Sequence, residues 1–75
     1  MTTVDVLVAI GHILEADRQL ALKQLNAAIL GGGDPGDIAK AQGNMVDAAA
    51  NVAAGDFAKA VLDYKKAWTN AVKAQ

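Results

Sequence analysis

Three features of this 75-residue chain predict an all-α fold, an up-down-up antiparallel three-helix bundle with a long first helix. The chain is 53% hydrophobic and much of that is alanine, the strongest helix former. Its one proline lies in a single strong break, Gly31-Gly32-Gly33-Asp34-Pro35-Gly36-Asp37. Apolar residues elsewhere recur at i, i+3, i+4, i+7, most clearly in Phe57, Ala60, Val61, Tyr64, Ala67, Trp68, Ala71 and Val72. Lys59, Asp63, Lys66, Asn70 and Lys73 fall on the opposite side of that helix and are expected in water. A chain of this length forms one domain, residues 1–75, with a small core.

The first helix is expected over about residues 3–30. Thr2 or Thr3 is an N-cap candidate, and Asp5 favours the positive end of the helix dipole. Only Gly11 weakens the helix, by about 1 kcal/mol relative to alanine. Its core face reads Leu7, Ile10, Leu14, Ala21, Leu25 and Ala28, with Leu22 and Ile29 beside it.

A glycine after Leu30 supplies the left-handed residue that closes a helix. Asp34 followed by Pro35 then reads as an N-cap with proline at the first helical position, and Asp37 is a second cap candidate. The loop is short, so the first two helices should be antiparallel neighbours. The second helix, about 35–54, carries Ile38, Ala41, Met45, Ala48 or Ala49, and Val52. Gly55 ends it and Asp56 caps the third helix, about 56–74. The predicted core joins Leu14, Leu25, Ile38, Met45, Val52, Phe57, Val61, Tyr64 and Trp68. Counting back from Gly55 places Trp68 beside Gln42 and Gly43, so Gly43 is expected to make room for the indole.

Helix lengths differ. The first helix spans about 40 Å and the others about 28 Å each. Its first two turns should therefore overhang the bundle, exposing Val4, Val6, Leu7, Val8, Ile10 and Ile13 as an interface. This predicts burial against protein, either by self-association into a homo-oligomer or against a parent polypeptide. The alternative is a peptide or small ligand held in the groove near Tyr64 and Trp68.

Other classes are disfavoured. Seven basic and eight acidic residues give a net charge of −1 with no basic block, which argues against nucleic acid. The apolar stretch Val4–Leu14 is broken by Asp5 and His12 and falls short of the ~20 residues of a membrane span. There is no cysteine for a disulfide and no serine or thiol nucleophile, so no catalytic residue is assigned. His12 and Glu15 lie one turn apart without a third ligand, and Asp34 and Asp37 fit no calcium loop. No metal or cofactor is expected.

Residues 55–68, from Gly55-Asp56-Phe57-Ala58-Lys59-Ala60 through Tyr64-Lys65-Lys66-Ala67, resemble the second half of a tetratricopeptide (TPR) repeat. The resemblance implies that Ala60, Tyr64 and Ala67 pack a helix hairpin. Over nearly its full length the chain is similar to alanine-rich helical modules near the C-termini of large secreted bacterial proteins. Ala16-Asp17-Arg18, the Gly-Gly-Gly-Asp-Pro loop and Asp63-Tyr64-Lys65-Lys66-Ala67-Trp68 carry that likeness, which implies an appended, extracellular helical domain.

Overall fold

Alanine-rich segments punctuated by glycine and aspartate produce three helices among the described residues of the computed structural model, which are 3–75 apart from the side chains of Thr3 and Leu7. They are α1 (Thr3–Leu30), α2 (Pro35–Ala53) and α3 (Phe57–Ala74), running up, down and up. The capping expected of Thr2 or Thr3 and the placement expected of the Leu7 side chain lie outside the described residues.

The two breaks are built alike. Gly32 takes a positive φ of 68° after α1, and Gly55 takes 78° after α2. Around Gly32, the Gly33 N–H donates to the Ala28 carbonyl at 2.8 Å and the Gly32 N–H to Ile29 at 3.3 Å. Around Gly55, the Asp56 N–H donates to the Asn51 carbonyl at 2.8 Å and the Gly55 N–H to Val52 at 3.0 Å. These are paired Schellman closures, which need a residue free of the Cβ penalty at the left-handed position. Next come the caps. The Asp34 carboxylate accepts from the Asp37 N–H at 2.8 Å, and Asp56 accepts from the Lys59 N–H at 3.2 Å. Asp34, not Asp37, is therefore the cap of α2. Because Ala54 is the C-cap of α2 and Asp56 the N-cap of α3, both helices are one residue shorter at this turn than expected.

The core is small-residue packing around one tyrosine. Leu14, Ala48, Ala60 and Tyr64 form one buried cluster, with Ile10, Met45, Val52, Phe57 and Val61 packed against it. Leu25, Ala41 and Ala71 form a second, which Ile38 and Met45 flank. Of the two alternatives on α2, Ala48 is buried and Ala49 exposed. Ile29 is 48% exposed and lies outside the core.

α3 lies between the other two helices and packs on both, whereas α1 and α2 meet along only a short stretch. The expectation that α1 and α2 would be close neighbours is corrected accordingly. Alanines on α3 let both neighbours approach it closely, and α1 and α2 splay apart on either side.

Polar pairs tie the helices as well. Asn51 Nδ2 donates to Asp63 Oδ2 at 2.6 Å and Asn70 Nδ2 to Asn44 Oδ1 at 2.8 Å, both half-buried between α2 and α3. Asp63 and Asn70 were expected in open water, and this corrects them. Gln75 Nε2 reaches Gln24 Oε1 on α1 at 2.7 Å.

Trp68 is the largest departure. It is 43% exposed and does not belong to the core. The two polar pairs are symmetric about Phe57, a register that places Trp68 level with Val46 and not with Gly43. Consistent with this, no heavy atom lies within 4 Å of where a Gly43 Cβ would stand. The buried face of α3 is Ala60, Tyr64, Ala67, Ala71 and Ala74. Trp68 sits one position round from Ala67, where close alanine packing leaves no room for an indole, so it lies at the α1 margin.

Candidate functional site

Length sets up the exposed end. At 1.5 Å per residue the 28 residues of α1 span about 42 Å, against about 28 Å for α2 and about 27 Å for α3. The molecule is 46 Å long. Among the described side chains of α1, Ile10 is the first large one packed against the core cluster that Val52 and Phe57 also flank. It thus belongs to the core margin and not to the overhang, because it packs against the same cluster as Phe57 at the start of α3.

Beyond it the described aliphatic side chains are uncovered. Val4 is 67% exposed, Val6 42% and Val8 53%, and Ile13 on the flank is 56%. Isolated exposed aliphatics are ordinary, but here Val4 and Val8 share one side of α1 while Val6 and Ile13 share the other, so this end of the helix is apolar on two sides.

The exposed face continues along α1. Leu20 is exposed and shares a recess of about 350 Å³ with Asp17, Tyr64, Lys65, Trp68 and Thr69. A second recess of about 570 Å³ opens where α1 and α2 part, with Phe57 and Tyr64 below and Gly11, Leu14, Arg18 and Val52 around it. Sequence reasoning missed the Leu20–Trp68 adjacency. The signal present was the seven-residue spacing of Val6, Ile13 and Leu20, which puts them on one stripe of α1.

One charge pair near the site closes within α1 itself. Arg18 donates from Nε and Nη2 to the two carboxylate oxygens of Glu15 at 2.9 and 2.6 Å, and Gln19 adds a third bond at 3.0 Å. Those hydrogen bonds, Arg18's first, lower the Glu15 carboxyl from 4.5 to about 2, and Arg18 is raised in turn. Glu15 thus engages residues toward the end of α1 instead of His12. Among the described residues no group of three histidine, cysteine or acidic side chains converges as a metal site. Nor is any helix there long and apolar enough to cross a membrane.

Comparison with protein-family models, with curated proteins and with solved structures gives no match.

Proposed function

We propose that this chain is a non-enzymatic helical interaction or assembly module that docks or self-associates through the apolar start of α1. The exposure of Val4, Val6 and Val8 on a helix that outruns its neighbours carries this reading. Water contact with such a patch is unfavourable, and covering it with protein recovers roughly 25 cal/mol per Å² of apolar surface. The likeness to alanine-rich modules of secreted proteins supports an extracellular, appended role as part of the same proposal.

Light scattering across a wide concentration range tests it. The chain should gain mass as concentration rises, and Val6→Asp or Val8→Asp should suppress the gain while circular dichroism stays helical. A constant monomer mass, identical in wild type and both variants, contradicts self-association and leaves only docking to a different protein.

Exposure of Trp68 in its recess favours a second reading, a TPR-like peptide- or small-ligand-binding module centred on Tyr64 and Trp68. An indole that reports no fluorescence change with any peptide or apolar ligand counts against this one.

A further inference from the structure

The residues on the exposed side of α1 do more than present aliphatic surface. Val6, Ile13 and Leu20 are spaced seven apart, and Ala9 and Ala16 lie between them; all five are exposed. A seven-residue repeat with apolar residues at its first and fourth positions is the pattern of a two-helix seam. Its large and small members alternate, and the series ends in Lys23, whose long stem can cover apolar surface while its ammonium stays in water.

Resting on the docking role proposed above, we propose that the occupant of this seam is a second copy of this chain, packed antiparallel along α1 about a two-fold axis level with Leu14 and Glu15. In that register Ile13 faces Ala16 of the second copy, Leu20 faces Ala9, and Val6 faces the stem of Lys23. Every large side chain meets a small or flexible one, and by symmetry each contact is made twice. The arrangement is also complementary in charge, since the ammonium of Lys23 comes alongside the Asp5 carboxylate of the other copy. Parallel pairing stacks Lys23 on Lys23 and Asp5 on Asp5, juxtaposing like charges.

Length favours the seam over the overhang alone. An exposed valine offers roughly 100 Å² at most, so overhang against overhang covers only several hundred Å². Stable interfaces begin near ~1,200 Å². A seam from Asp5 to Lys23 is about 27 Å long, and its far end reaches Leu20 beside Trp68, whose indole adds to the covered surface.

The absence of native cysteine allows a direct test. Ala9→Cys and Leu20→Cys chains are prepared separately, mixed and oxidised, with Val6→Cys and Lys23→Cys as a second pair in case Leu20→Cys loosens the seam. Each pair should form a mixed disulfide dimer, and no single variant should cross-link to itself, because its thiols lie far apart along the axis. Self-linking of Ala9→Cys and Leu20→Cys overturns the antiparallel arrangement. A wild-type chain that associates while neither pair links overturns this register yet leaves docking through α1 standing. A wild-type chain that stays monomeric overturns the second copy as occupant.

Discussion

The Asp34 N–H donates to the Ala74 carbonyl oxygen at 2.9 Å, fastening the start of α2 to the end of α3. That bond satisfies one of the carbonyls left open at the end of a helix, and it draws the Gly33 backbone against the same peptide. A Cβ on Gly33 would collide with the Ala74 oxygen and stand 3.0 Å from both the Ala28 oxygen and the Ala74 carbonyl carbon. All three are backbone atoms that cannot rotate away. Gly33→Ala should therefore destabilise the fold by about 1–3 kcal/mol in urea denaturation. A variant as stable as wild type would show that α2 and α3 are not clamped at this point.

Gly43 lies in the opposite situation. It is exposed within α2, and a methyl group there meets nothing within 4 Å. Gly43→Ala should raise stability by about 0.5–1 kcal/mol through helix propensity alone. Loss of stability on thermal melting would mean that the site is occupied after all.

The two aspartate caps should each matter by a similar amount. Asp34 and Asp56 accept from otherwise unpaired N–H groups of α2 and α3. Asp34→Ala and Asp56→Ala are each expected to cost about 1 kcal/mol, and the serine variants to recover most of it. Denaturation midpoints of the four proteins decide the matter.

Glu15 gives a pH prediction. Its carboxyl is held at about 2 in the folded chain against an ordinary 4.5. A depressed folded-state value means that its contribution is present above about 4.5 and fades as pH falls toward 2. Side-chain carboxyl NMR of the folded protein should show Glu15 titrating below the other carboxylates, and Arg18→Gln should return it toward 4.5. A Glu15 curve unchanged by Arg18→Gln would rule out the guanidinium as the cause.

The helices and their ends were legible in the chain because each end is encoded locally. Gly32, Gly55, Asp34, Pro35 and Asp56 have conformational or hydrogen-bonding reasons to stand where they do, and no distant residue is needed to interpret them. Register between helices was less legible. It depends on how the Gly55 turn sets α3 against α2, and a shift of three residues moved the partner of Trp68 from Gly43 to the level of Val46. Side chains short enough to bridge helices were misread for the same reason, as with Asp63 and Asn70. At the candidate surface, the exposure of Val4, Val6 and Val8 followed from helix length alone. Its continuation through Leu20 to Trp68 did not, because it depends on the rotation of α1 about its axis relative to α3, which hydrophobic spacing leaves open when apolar residues occur on more than one side of α1.

Methyl NMR spectra of the wild-type chain over a concentration series test the central claim most directly. Signals of Val6, Ile13 and Leu20 should shift together as concentration rises, while the exposed methyls of Val46 and Leu62, on α2 and α3, stay fixed. Spectra that do not change with concentration, or changes centred on Val46 and Leu62, would contradict association through the start of α1.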